Sequence, residues 1–174
     1  MTPASTATAK SPTENEIFRD CARTTQQIVR MNLEDISHEE SMCQPQPGGN
    51  CLNWVVGHLV CIYDEVLPLL GQKPVLGRDV LRRYARGTPP LQDAAEALQF
   101  FDLIRAWDEA STRVDAGLAS VTAEKLNTPA PGSPRKNPHE SVRSLLALIF
   151  FHQAYHAGQT GLLRRLSGKE GALR

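Results

Sequence analysis

Residues 144–166, SLLALIFFHQAYHAGQTGLLRRL, constrain this chain most, because their apolar side chains recur at helical period without an interrupting proline. Leu145, Ile149, His152, His156, Gln159, Leu163 and Leu166 fall on one stripe in steps of four and three. Such a stripe is the inward face of a helix packed in a bundle. Two imidazoles and an amide stand in its middle, where Leu or Ile would be ordinary. Buried polar groups cost free energy unless something pairs with them. The spacing of His152 and His156 sets both rings on one side of a helix, about one turn apart. That fits two ligand positions of a divalent metal. It also fits two core histidines bonded to neighbours.

The rest of the chain repeats the helical grammar. Ser11-Pro12-Thr13-Glu14 reads as a cap, a proline at the first helical position and an early acid. It predicts a helix over 12–34 with Ile17, Cys21, Thr24, Ile28 and Met31 facing inward. A capping box at Ser37 and Glu40 predicts a short turn ending near Cys43, with His38 solvated. Residues 44–50 (QPQPGGN) break the pattern and place Asn50 as a cap. A second helix is predicted from Cys51 to about Leu70, stopped by Gly71, with Cys51, Val55, His58, Ile62, Glu65 and Leu69 on its stripe. Residues 72–88 lack a period and carry Lys73, Arg78, Arg82, Arg83 and Arg86. They read as a solvated crossover, or as a cationic rim beside an acidic substrate. Thr88-Pro89 is read as opening a third helix with Ala97, Phe101, Ile104, Trp107, Ser111, Val114, Leu118 and Val121 inward. After the breaker 128–137, Asn137-Pro138-His139-Glu140 opens the fourth, which closes at Gly168; His139 lies in its exposed first turn.

With no strand period, four long amphipathic helices predict an all-α four-helix bundle over residues 12–168. A disordered tail is expected at 1–11 and another tail at 169–174. The chain has 19 Lys plus Arg and 19 Asp plus Glu, which gives no footprint for nucleic acid or a membrane surface. The longest apolar run, residues 145–151, is far short of a span. The N-terminus lacks the features of a secretory signal. Cys21, Cys43, Cys51 and Cys61 form no Cys-x-x-Cys pair and are read as reduced thiols in a cytoplasmic protein.

In a bundle core, His58 from the second helix can meet His152 and His156 from the fourth. Three neutral imidazoles leave a coordination position for water or substrate. Cys61, three residues after His58, could approach the same point or serve as an apolar core residue. His152-Gln153-x-x-His156 has Gln where a metalloprotease of the zincin type has its Glu, which disfavours a peptidase of that kind.

Asn50-x-x-x-Trp54-x-x-Gly57-His58-Leu59 resembles the second-helix signature of the DinB/YfiT-like proteins. His152-Gln153-Ala154-Tyr155-His156-Ala157-Gly158-Gln159-x-Gly161-Leu162-Leu163-Arg164-Arg165 resembles their last-helix signature. The resemblance spans about Ile17 to Gly168. It implies a four-helix bundle holding a divalent metal, zinc or nickel, through His58, His152 and His156, and often a homodimer. It further implies transfer of a low-molecular-weight thiol to an electrophilic small molecule. Metal-dependent hydrolysis, or a non-catalytic metal-stabilised interaction protein, are the alternatives. Glu65, as proton acceptor, and Gln159, as an orienting group, are the candidate catalytic residues.

Overall fold

The computed structural model describes residues 11–172, and the expected N-terminal tail lies, but for Ser11, outside them. Four long helices make the bundle: α1 (Glu14–Leu33), α3 (Leu52–Val66), α5 (Phe100–Ser120) and α7 (Val142–Leu166). Short helices α2 (His38–Ser41), α4 (Arg78–Leu81) and α6 (Ala123–Leu126) lie in the connections, and no strand occurs among the described residues.

Side-chain pairings fix the helix directions. Asn15 on α1 donates to the Val121 carbonyl beyond the end of α5 (2.9 Å), and Arg30 pairs with Asp108 (3.3 Å), so α1 and α5 are antiparallel. Arg143 meets Glu14 at the starts of α7 and α1 (2.6 Å), and Asn32 donates to Thr160 near their ends (3.0 Å), so these two are parallel. Asn53 reaches the Leu98 carbonyl (3.0 Å) and Tyr63 stacks on Trp107 (centroids 5.1 Å apart), which makes α3 and α5 parallel. The order is therefore up, down, down, up. Parallel neighbours need a connection that returns the length of α3, about 22 Å at the helical rise. That is why residues 67–99 form a long crossover, and it is this crossover that reaches the functional site.

Several ends follow the sequence. Ser37 and Glu40 form the reciprocal capping box. A 3-10 turn (Leu67–Leu70) extends α3 to Gly71, whose φ of 71° is the left-handed conformation glycine adopts cheaply. Other ends move. Thr13, not Ser11, caps α1, sharing a capping box with Glu16. Asn50 caps nothing; Cys51 is the cap residue of α3, without a side-chain bond. Asn137 accepts from the His139 amide instead (3.0 Å), and paired backbone bonds from Ala130 to Glu140 (2.8 Å) and from Val142 to Thr128 (2.9 Å) hold the chain extended. The fourth helix therefore starts after Ser141.

The largest difference is α5, which opens at Phe100 and not at Thr88. Residues 85–99 spend backbone groups on tertiary partners. The Leu98 amide donates to the Tyr84 hydroxyl (2.8 Å), and Gln44 donates to the Leu91 carbonyl (2.6 Å). Phe100 then takes the core place expected of Phe101, which is 69% exposed. From Trp107 onward the expected face is the buried one: Trp107, Ser111, Val114 and Leu118.

On α1 the stripe is off by one residue, or about 100°. Ala22, Thr25, Val29 and Asn32 are buried, and Asn32 pairs with Thr160 across the α7 contact. Ile17, Cys21, Thr24 and Ile28 line a surface groove of about 780 Å³ with Phe150, Phe151 and Gly158 of α7. Met31 is likewise exposed. On α7, Leu145, Ile149 and Leu163 are buried as read, while Leu166 is 47% exposed.

Candidate metal centre

His58 is built in from two sides. Its ring stacks on Trp54, one turn earlier, with centroids 4.8 Å apart and planes 17° from parallel. Its Nδ1 lies 2.8 Å from the Tyr84 carbonyl, delivered by the crossover. A carbonyl only accepts, so Nδ1 carries the proton and Nε2 presents its lone pair. Tyr84 comes this close because Gly57 has no side chain: a Cβ there would stand 2.3 Å from Tyr84 Cδ1. The Tyr84 hydroxyl donates to Asn53 (3.0 Å), and the Trp54 indole donates to Thr88 (3.0 Å). The crossover is thereby tied to α3 around the histidine.

His156 is held in the same manner by its own helix. Its Nδ1 lies 2.6 Å from Gln159 Oε1, while Gln159 Nε2 donates to the Tyr155 hydroxyl (3.3 Å). Gln159 thus orients His156. Next to His152, Gln153 donates to the Leu59 carbonyl (3.0 Å), fixing α7 against α3 at the height of the site.

The three rings converge. His152 Nε2 is 3.3 Å from His58 Nε2 and 3.1 Å from His156 Nε2. With Nδ1 protonated on His58 and His156, the three Nε2 atoms share at most one proton, that of His152. If His152 carries it on Nε2, its own Nδ1, buried without a hydrogen-bond partner, is left with an unmet lone pair. In either tautomer lone pairs outnumber protons, the donor set of a cation site. Ligand atoms of His58, His152 and His156 lie within 4.8 Å of one another, a group that could hold a metal ion.

Electrostatics agree with that fit. Burial lowers the pKa of His58, the Tyr84 bond opposing, with His156 and Arg86 lowering it further. Burial brings His152 down to about 4, reinforced by His156, His58 and Arg86. Burial also lowers His156, against the Gln159 bond. All three are therefore neutral at neutral pH, the form that binds a metal.

The cluster opens on a cleft of about 850 Å³ with apolar walls that include Val55, Ile62 and Ile149. Glu65 stands on the same cleft, two turns and about 10 Å along α3 from His58. Desolvation raises its pKa, with Arg78 acting the other way. Cys61 lines the cleft outside the three-histidine group, and burial, followed by Glu65 and Asp64, raises its thiol to about 11. His38 is half-buried, its Nδ1 accepting from the Phe100 amide (3.3 Å), and His139 is exposed. Sequence reading missed Tyr84, whose only trace was a glycine in mid-helix directly before a histidine.

The profile of the DinB superfamily matches residues 22–160, most of the chain. A solved structure described as the conserved protein of locus from Enterococcus faecalis has a similar fold, with a TM-score of 0.70 and 16% identity over 91% of this chain and 100% of that one. At that identity the likeness speaks for the fold alone. No curated protein matches the chain.

Proposed function

This chain belongs to the DinB superfamily, and from that premise and the converging imidazoles we propose a metal-dependent enzyme that transfers a low-molecular-weight thiol to an electrophilic small molecule. His58, His152 and His156 would hold one divalent ion, zinc or nickel, both of which accept imidazole nitrogen. The observation that carries the proposal is the pinning of Nδ1 on His58 and His156, which turns their Nε2 lone pairs toward His152. When bound, the ion supplies Lewis acidity that favours the deprotonated form of a thiol, or of water in a hydrolase.

The remaining work falls to the chain's own side chains. Tyr84 and Gln159 hold two ligand rings in register, which guards metal affinity. The apolar walls displace water and strengthen electrostatic interactions within the cleft. Transfer forms a bond between the thiol sulfur and an electrophilic carbon. The thiol proton leaves through solvent in the cleft, with Glu65 on the same cleft as its final acceptor, and the leaving group departs with its bonding pair. The raised pKa of Glu65 suits a proton acceptor. We also propose a homodimer through the α1–α7 face, because Ile17, Phe151 and Leu162 there are 50%, 71% and 58% exposed.

Elemental analysis of the purified protein, beside thermal unfolding with and without chelator, tests the centre. About one metal per chain, lost together with stability, is the expected result. A metal-free protein indifferent to reloading would overturn it. With metal present, conversion that requires an added thiol supports transferase activity. Thiol-independent ester or amide cleavage assigns a hydrolase, and neither activity assigns a metal-stabilised binding protein. Phe151→Glu is expected to shift a dimer to a monomer in analytical ultracentrifugation, whereas an unchanged mass would refute that interface.

A further inference from the structure

Among the described residues, one charge on the cleft, that of the exposed Arg86, has no ion-pair partner. Its charged lining residues are Glu65, Arg86 and Arg135. Arg135 is spent on the buried carboxylate of Glu140 (2.5 Å), which also takes the Ser133 hydroxyl (2.9 Å). Glu65 lies in the field of Arg78. Among the described residues, no carboxylate forms an ion pair with Arg86.

Arg86 is also placed by the device that places His58. It follows Tyr84, whose carbonyl holds the His58 ring, by two residues. The segment after it is tied down: the Thr88 hydroxyl donates toward the Ala85 carbonyl (2.9 Å) and accepts from the Trp54 indole (3.0 Å). Trp54 is itself stacked on His58. The side chain is thus on a strap pinned at both sides of the imidazole, and Arg86 lines the same cleft as His58, His152 and His156.

We propose that Arg86 recognises an anionic group on the small molecule that binds at the three histidines, so that the ligand class is one bearing a carboxylate or phosphate close to its metal-binding atom. The inference rests on the metal centre proposed above. Three neutral imidazoles leave the whole charge of a divalent ion in place, and Arg86, exposed on the rim of the same cleft, adds a second positive charge. A ligand with two negative centres offsets both, and a guanidinium binds an oxyanion through paired, charge-assisted hydrogen bonds. A neutral ligand leaves Arg86 to solvent and gains nothing from it.

Cobalt-loaded protein provides the test, because thiolate binding gives a charge-transfer absorption band independent of turnover. The probes are 3-mercaptopropionate and its methyl ester, which differ chiefly in charge. The wild type is expected to bind the carboxylate probe about tenfold more tightly than the ester, the scale of one charge-assisted contact. Arg86→Ala is expected to abolish that preference with metal content and ester affinity unchanged, Arg86→Lys to keep part of it, and Arg86→Glu to reverse it. Equal discrimination in wild type and Arg86→Ala, with metal bound in both, would overturn the role of Arg86 alone. Protein that takes up no cobalt would remove the metal centre and this inference together.

Discussion

Gly57→Ala adds one methyl group where Tyr84 already stands. A Cβ at residue 57 would lie 2.3, 2.4 and 2.6 Å from Tyr84 Cδ1, Cγ and Cε1. Carbon contacts settle at roughly 3.5–4.0 Å, so the ring must withdraw by more than about 1 Å. It cannot do so freely, because its hydroxyl bonds Asn53 at 3.0 Å and the Leu98 amide at 2.8 Å. Overpacking of this kind costs about 1–3 kcal/mol, and two lost neutral hydrogen bonds cost about 1 kcal/mol each. Replacing glycine in a helix returns about 1 kcal/mol. The net expectation is a loss of about 2–4 kcal/mol, read as a lower urea midpoint at unchanged slope. Withdrawing Tyr84 also takes its carbonyl from His58 Nδ1, and metal affinity is expected to fall about 10- to 100-fold in a chelator competition. Gly158→Ala is the control. It is also mid-helix, but beyond its chain neighbours and the backbone of its own helix no atom of the protomer lies within 4 Å of its added Cβ, and it is expected to gain up to about 1 kcal/mol. A Gly57→Ala protein with wild-type midpoint and metal affinity would refute the proposed coupling between Gly57, Tyr84 and His58.

Three further perturbations test separate parts of the molecule. The buried carboxylate of Asp64 accepts from the amides of Val75, Leu76 and Gly77 at 2.7, 2.9 and 3.0 Å; Asp64→Ala is expected to cost about 3 kcal/mol and to speed hydrogen exchange at those amides, and unchanged exchange would deny that Asp64 anchors the crossover. The bonds of Asp115 to Arg19 and then Arg23 hold its carboxyl at about 2 against an ordinary 3.8, so the stability it contributes is complete above about pH 4 and is lost as pH falls toward 2; Asp115→Asn is expected to flatten melting temperature against pH in that window. His152, lowered to about 4 from an ordinary 6.5, is neutral in the fold where an unfolded histidine is already charged. Stability of the metal-free protein is therefore expected to fall as pH drops from about 6.5 to about 4, and bound metal to persist below pH 6.5. His152→Ala is expected to lose stoichiometric metal, remain helical and show a smaller acid dependence. Metal retained in that variant would remove His152 from the ligand set.

Much of the bundle was legible because it is local chemistry. Helical period in the four segments, the box at Ser37 and Glu40, and the stops at Gly71 and Gly168 depend on residues within a turn or two of each other. The spacing of His152 and His156 belongs to the same class, since a helix alone puts both rings on one face. No helix among the described residues is long and apolar enough to cross a membrane, and the sequence showed that too, in the shortness of its apolar runs.

What lay beyond the sequence was every choice made by a partner element. The apolar stripe of α1 was real, but the face that meets the core is the one carrying Ala22, Val29 and Leu33, where Asn32 bonds Thr160 on α7. Residues 85–99 include good helix formers, yet tertiary hydrogen bonds at Leu91 and Leu98 claimed their backbone and delayed α5 to Phe100. The candidate site divides along the same line. The three histidines could be named from spacing, while Tyr84 and Arg86 reach them only because parallel α3 and α5 force a long crossover back along the bundle. Periodicity encodes which face of a helix is apolar; the packing of the other helices, with the buried polar pairs they bring, decides what that face meets.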